Sequence, residues 1–170
     1  MGKLPTFEEL FRGCERSAVH LEMRDGYMRS DPAFIDWSEG KRFDPADRWR
    51  SWFDIVSETT GRGVAVRRAR IVSEPVSDYI RFEHEVTDGL NVASGEQVRW
   101  LPRRRTTDFF LPGNDFWVFD EHLILINHFD GNGDSLEHEF SEDADLADLL
   151  SRAFEAVWDR AVPHASYRLG

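Results

Sequence analysis

Nine polar side chains between residues 68 and 130 are of types that could bind an anion or transfer a proton. The sequence predicts one ligand-binding set at the strand ends, made of Arg68, Arg70, Arg103, Arg104, Arg105, Asp115, Asp120, His128 and Asp130. Arginines there would attract an anionic substrate, and carboxylates beside a histidine could act as acid and base, because α/β folds collect sites at the carboxyl ends of their strands. The competing interpretation is that the arginines pair within the molecule or lie solvated at strand edges.

Other candidate motifs predict structure and not chemistry. Residues 130–134 (DGNGD) match the first three ligand positions of a calcium loop, but Ser135 replaces the glycine and Ser141 replaces the bidentate glutamate. This segment is therefore predicted to be a turn. The six histidines have no zinc-binding spacing, and Cys14 has no base near it in sequence. We therefore predict no catalytic residue, no metal and no cofactor.

Length and charge limit the classes of protein to consider. The 170 residues suit one domain, and the net charge of -11 opposes direct binding to nucleic acid. A single cysteine and the lack of a signal peptide favour the cytoplasm. The longest apolar run, residues 123–126, is far too short to span a membrane.

The elements that must position these side chains form one predicted domain over residues 1–170. Residues 1–61 are mostly helical, residues 62–140 form a sheet core, and residues 141–162 form a C-terminal helix. Strands at 64–72 and 97–101 flank a helix, which predicts a right-handed βαβ unit. Residues 116–119 and 123–126 predict a central hairpin buried on both faces. The fold class is therefore α/β, with a single mixed sheet covered by helices, and α+β remains the alternative.

Local signals predict where the helices begin and what they bury. Thr6 and Glu9 form a capping box, Asp44 and Pro45 begin one longer helix, and Trp49 and Trp52 recur at the spacing of core residues. Further starts are predicted where Ser73 and Ser141 would cap their helices, with Pro75 in the first turn after Ser73. Leu149 is expected on the packing face of the last helix, and residues 27–28 could add a short strand.

Five sequence blocks carry a resemblance to a known family. They are residues 18–25 (AVHLEMRD), 72–79 (VSEPVSDY), 95–102 (GEQVRWLP), 111–120 (LPGNDFWVFD) and 127–130 (NHFD). Together they resemble an actinobacterial domain family of unknown function, whose members are often encoded beside helix-turn-helix regulators. The resemblance implies an accessory role in regulation and a partner protein encoded nearby, and it carries over no catalytic residue.

The order of elements is also similar to one half of a phospholipase-D-like domain. In that family a nucleophilic histidine and a lysine precede the aspartate between the hairpin strands by seven and five residues. Counting back from Asp120, those places hold Gly113 and Asp115. The resemblance implies that phosphodiester chemistry is lost and that a pocket could be retained as a sensor.

These observations lead to one functional hypothesis and one alternative. We expect a non-enzymatic, cytoplasmic regulatory or protein-interaction module, accessory to a helix-turn-helix transcriptional regulator. It would bind a partner protein, and it would bind neither nucleic acid nor membrane. A homodimer is also possible. The alternative is a small hydrolase or anionic-ligand-binding protein with its site at the strand ends.

Overall fold

The computed structural model describes residues 5–170, which form one seven-stranded mixed sheet with helices on both faces. The strands are β1 (Ser17–Glu22), β2 (Ala65–Val72), β3 (Gln97–Pro102), β4 (Asp115–Phe119), β5 (Leu123–Asn127), β6 (Glu139–Ser141) and β7 (Val162–Pro163). The helices are α1 (Phe7–Gly13), α2 (Pro32–Ser38), α3 (Pro45–Arg48), α4 (Arg50–Gly61), α5 (Asp78–Thr87) and α6 (Ala144–Arg160). Across the sheet the order is β6-β5-β4-β1-β2-β3-β7.

The strand pairing confirms the predicted fold class. Strands β1, β2 and β3 are parallel, and α5 makes the crossover between β2 and β3. Strands β4 and β5 form the predicted antiparallel hairpin, and β4 lies antiparallel to β1. Strand β7 was not predicted: it follows α6 and pairs with the outer edge of β3.

Successive side chains of each strand point to opposite sides of the sheet, so the sheet has two different faces. One face packs its apolar side chains, such as Leu21, Phe116 and Ile124, against Phe154 and Val157 of α6. The other face is covered by α1 and α4 in an aromatic cluster, which includes Phe11, Val56 and Trp117. Within residues 5–170 no helix has both the length and the apolar character needed to cross a bilayer.

Two predicted helix starts are wrong because the serines have other partners. The N–H and hydroxyl groups of Ser73 both donate to the carboxylate of Asp25, at 2.6 Å each. Helix α5 begins later, where the Ser77 hydroxyl accepts from the N–H of Ile80. Ser141 ends β6, and Asp143 caps α6.

The predicted Thr6–Glu9 capping box is confirmed, but three further expectations are corrected. The helix is interrupted at Trp49, so α3 and α4 take the place of the one long helix that was expected. Leu149 is 56% exposed, because it lies on the outer face of α6. Residues 27–28 form no strand: Met28 has a positive φ and donates its N–H to the carbonyl of Gly133 in the turn at residues 130–134.

Candidate functional site

A cavity of ≈ 360 Å³ opens on the sheet face opposite α6. Eight aromatic rings from the sheet, three helices and the connections between elements line it: Phe7, Tyr27, Trp49, Trp52, Tyr79, Phe82, Trp117 and Phe129. Polar side chains lie among them, namely His20, Glu22, Asp31, Arg68, Arg70, Glu83, Asn91, Asp115, Asn127, Ser135 and His138. The size and the aromatic lining are typical of small-molecule sites, although this cavity has more polar groups than most.

The centre of the polar floor is a square of four side chains on β1 and β2. His20 and Glu22 are two residues apart, so they point to the same face of the sheet, as do Arg68 and Arg70. The strand register places His20 opposite Arg68, and Glu22 opposite Arg70. A polar side chain at every second position of two buried strands therefore produces this floor.

Both arginines of the floor already form ion pairs with carboxylates. Arg68 donates from Nη1 to Glu22 Oε1 (2.5 Å) and from Nε to Glu96 Oε1 (2.7 Å). Arg70 donates from Nε to Glu22 Oε2 (2.5 Å). Burial raises the pKa of Glu22, but the two guanidinium groups more than offset this and keep its pKa well below the ordinary value. The positive charge that was expected to attract an anionic ligand is thus neutralised inside the protein.

Two other carboxylates in the lining lack such compensation. Asp115 accepts from the Tyr27 hydroxyl and from the N–H of Met23 (2.9 Å), and burial raises its pKa to about 6. Burial likewise raises the pKa of Glu83 to about 7 in spite of Arg70. Glu83 Oε2 accepts no hydrogen bond from residues 5–170, and it lies 3.8 Å from Arg70 Nε.

Further polar atoms of the floor have unused hydrogen-bonding capacity. His20 stacks on Trp117 with ring centroids 4.1 Å apart, and its Nε2 lies 3.3 Å from Asn127 Nδ2. Burial lowers the pKa of His20 well below its ordinary value, so the ring is neutral. Over the described part of the chain, His20 Nδ1, Asn127 Oδ1 and His138 Nδ1 have no hydrogen-bond partner. Buried polar atoms of this kind indicate a missing partner such as water or a ligand.

The nine side chains predicted from sequence do not form one site. Arg68, Arg70 and Asp115 line the cavity. The Arg103–Arg105 turn lies beyond the end of β3 and outside the cavity lining. There Arg103 donates to the carbonyl of Met23 (2.5 Å) and borders a second depression of ≈ 300 Å³ that Asp115 and Asn127 also line. Arg104 pairs with Glu74 (3.3 Å) and is largely exposed, and the Arg105 carbonyl accepts from Arg160 (2.9 Å).

The remaining three predicted side chains hold local structure. Asp120 stands at the opposite end of β4 from Asp115, roughly 17 Å of strand away, and its carboxylate binds the backbone of residues 15–17. His128 pairs with Glu139 (2.9 Å), and Asp130 accepts from two N–H groups of its own turn. The acid–base set expected for a hydrolase is therefore spread over separate places. Among residues 5–170, no three His, Cys, Asp or Glu side chains are grouped as metal ligands.

Sequence reasoning missed most of the cavity. Glu22, Glu83 and Asn127 were not predicted, and Trp49 and Trp52 were interpreted as core although they are half-buried in the cavity wall. The available signal was the pairing of alternate polar residues in β1 with the alternate arginines of β2. No local signal could show that α5 places Glu83 above that floor.

The fold and the cavity define the protein as a mixed-sheet α/β domain with a buried, aromatic-walled site. The chain belongs to the family described as a domain of unknown function, DUF6879, whose sequence profile matches residues 5–169. The predicted membership of a family of unknown function is thereby confirmed. No curated protein matches the chain in sequence.

Solved structures show the same fold at low sequence identity. The chain is similar to TrmBL2, described as an archaeal chromatin protein with a novel mode of DNA binding, at 13% identity and a TM-score of 0.50. The match covers 91% of this chain and 47% of that one, so the chain spans about half the length of that protein. At this identity the likeness concerns the fold alone.

Proposed function

We propose that this domain binds a small organic molecule in the aromatic-walled cavity and acts without catalysis, as an accessory component beside a helix-turn-helix transcriptional regulator. The observation that carries the proposal is the cavity itself, with aromatic rings around a polar floor and several buried polar atoms that have no hydrogen-bond partner among residues 5–170. Unpaired buried polar groups are costly in free energy, and a bound molecule would satisfy them.

The chemistry of the candidate nucleophile and acids supports a non-catalytic role. Burial and the neighbouring Asp120 raise the pKa of the Cys14 thiol to about 12, so it stays protonated and unreactive. Its Sγ donates to the carbonyl of Ser17 (3.2 Å) within the fold. Asp120 and His128, which a hydrolase would need beside Asp115, are engaged elsewhere.

The regulatory part of the proposal rests on the family resemblance and on the sensor-like pocket. A pocket that acts as a sensor can bias a partner only through a ligand-binding energy that differs between two states. The partner would be the regulator encoded nearby, and a second copy of this chain is the other candidate.

The ligand-binding part can be tested with an uncharged probe, phenethyl alcohol, followed by tryptophan fluorescence. Three tryptophans of the lining, Trp49, Trp52 and Trp117, should report binding as a saturable change in emission. The variant Val86→Phe places a ring in the cavity and should abolish that change, because Val86 belongs to its wall.

The control for that variant makes the same substitution outside the cavity. Val92 is 44% exposed, and Val92→Phe should bind the probe like the wild type. Loss of binding in both variants, or no saturable binding of any small probe by the wild type, would rule out the proposal. Circular dichroism of each variant checks that the fold is retained.

A further inference from the structure

We propose that the cavity selects an organic ammonium ion: a primary amine in its charged form, carried on an apolar or aromatic body. This inference rests on the proposed function, since it names the class of ligand for the same cavity. It departs from the anionic ligand that the arginines in the sequence suggested.

The charges that line the cavity favour a cation. Carboxylates outnumber arginines there, with Glu22, Asp31, Glu83 and Asp115 against Arg68 and Arg70. Both arginines are already bound by Glu22, and Glu96 behind the floor adds a further negative charge to Arg68. The uncompensated charge facing the cavity is therefore negative, and it would repel a carboxylate or phosphate.

The unpaired acceptors favour a ligand that carries N–H groups. Asn127 is 7% exposed, and its Oδ1 accepts no hydrogen bond from the described residues. Glu83 Oε2, on α5, likewise accepts no hydrogen bond from the described residues, and its nearest cation, Arg70 Nε, is 3.8 Å away. An ammonium group has three donors and no acceptor, so it can donate to an oxygen of this kind, whereas an ether or carboxylate cannot.

The aromatic wall favours a cation on an apolar body. Phe82 contacts Tyr79 and Trp49, with ring centroids 5.7 and 6.2 Å away, and all three rings line the cavity beside Glu83. A cation within about 6 Å of such a ring face is attracted by the negative face of the ring, and more strongly when it is desolvated. Arg68 already uses this interaction, since its guanidinium lies 5.4 Å from the Trp117 ring centre.

The ionisation of Glu83 gives the proposal a pH signature. Charged and titratable groups surround this carboxyl from β1, β2, β4, the loop after β1 and its own helix: Glu22, Arg68, Arg70, Asp115, Tyr27 and Tyr79. Because its pKa is raised to about 7, Glu83 is partly protonated at neutral pH. A bound ammonium ion stabilises the carboxylate, so binding should release protons and strengthen as the pH rises from about 6 to about 8.

The test compares three probes of one shape by tryptophan fluorescence: phenethylamine, phenethyl alcohol and phenylacetate. Phenethylamine should bind the wild type at least about 10-fold more tightly than the alcohol, a difference of about 1.4 kcal/mol, and phenylacetate should bind most weakly. The amine stays charged over this pH range, since alkylammonium pKa values lie near 10. Its affinity should rise with pH, and the alcohol's should not.

The matched variants are Glu83→Gln and Glu85→Gln on the same helix. Glu83→Gln should reduce phenethylamine affinity to about that of the alcohol and remove its pH dependence. Glu85 pairs with Arg42 at the surface, so Glu85→Gln should behave like the wild type. The wild-type probe series is decisive even if a variant folds poorly.

The possible failures of the two proposals can be told apart. Equal binding of amine and alcohol, or tightest binding of phenylacetate, would overturn the ammonium proposal and leave the cavity as a ligand site. Failure of all three probes to bind the wild type would overturn both proposals.

Discussion

Asp115 and Asp120 show how position decides what an aspartate does in this protein. Both belong to the β4 hairpin region, but Asp115 is buried beside Glu22, and burial raises its pKa to about 6. Burial acts on Asp120 in the same direction, but the backbone N–H groups of Glu15, Arg16 and Ser17 more than offset it and lower its pKa. Asp115 therefore lies in the cavity wall with a raised pKa, and Asp120 fastens the start of β1 to the β4–β5 turn.

Replacing the Asp120 carboxylate should destabilise the protein. Asp120→Ala leaves the three backbone donors of residues 15–17 without their acceptor, and hydrogen bonds to charged groups contribute about 1.5–3 kcal/mol. We expect the free energy of unfolding to fall by about 3 kcal/mol at neutral pH, measured by urea denaturation. Probe binding by the folded variant should not change, because Asp120 lies outside the cavity lining.

The effect of Asp120 should depend on pH in a defined direction. Since its pKa is lower in the folded state than its unfolded value of about 3.9, its stabilisation is complete above that value and is lost as the pH falls through the folded pKa. The difference between wild type and Asp120→Ala should therefore shrink in acid. Asp54→Ala, which removes an exposed carboxylate of α4, should change stability little at any pH.

At the scale of elements, the β2–α5–β3 crossover is fixed to α4 by a close backbone approach. Gly95 precedes β3 with φ +91, and a Cβ added there would lie 2.6 Å from Thr60 Oγ1 and 2.9 Å from Thr60 Cβ. The Thr60 hydroxyl donates to the Ser94 carbonyl (2.7 Å) at the same contact. Glycine at position 95 thus allows both the backbone conformation and the contact between the two elements.

Alanine substitutions at two glycines can separate conformational strain from steric overlap. Gly63 has nearly the same φ, +90, but a Cβ added there would have open space around it, with no non-neighbouring atom of residues 5–170 within 4 Å. Gly63→Ala should cost about 1–3 kcal/mol from strain alone. Gly95→Ala should cost a further ~1–3 kcal/mol, because the side chain of Thr60 must move.

Thermal or urea unfolding of the two variants measures that difference directly. Equal destabilisation by Gly63→Ala and Gly95→Ala would show that the contact with Thr60 is not tight. A double variant, Thr60→Ser with Gly95→Ala, should recover part of the loss, since it removes the Thr60 methyl group, 3.2 Å from the added Cβ.

For the whole molecule, the net charge of -11 opposes binding to DNA. The neighbour is described as binding DNA, but fold similarity at 13% identity does not transfer a function. Several arginines that could meet phosphates are engaged inside the protein, as the Arg68 and Arg70 pairs with Glu22 illustrate. An acidic surface repels the DNA backbone at physiological salt.

The isolated protein should therefore not bind duplex DNA. Fluorescence anisotropy of a labelled random duplex at about 0.15 M salt should show no change on titration with this protein. Salt-sensitive DNA binding by this chain alone would contradict the expectation.

The proposed partnership with a helix-turn-helix regulator has a separate test. Size-exclusion chromatography of this protein with such a regulator, if one is encoded beside it, should show a joint peak. Separate elution of the two proteins would contradict the partnership.

The sequence by itself determined the local parts of this structure. Nearly continuous apolar runs predicted β4 and β5, the capping box located α1, and the strand–helix–strand order predicted the parallel β2–β3 pair. These signals are local because the direction of the side chains repeats every two residues in a strand and every 3.6 residues in a helix, so a short segment is enough to reveal the pattern. Helix starts were predicted less well, since Ser73 and Ser141 could cap helices but have other partners.

Only the tertiary structure decided which side chains meet. Arg68 contacts Glu22 and Glu96, which lie 46 and 28 residues away in the chain, and Glu83 lies 3.8 Å from Arg70, which it approaches from the crossover helix α5. Periodicity gives the face on which a residue lies but not the neighbour it meets, because strand order and helix placement bring together residues distant in sequence. For that reason only Arg68 and Arg70, of the five arginines that suggested an anion site, line the cavity, and both are neutralised there by carboxylates.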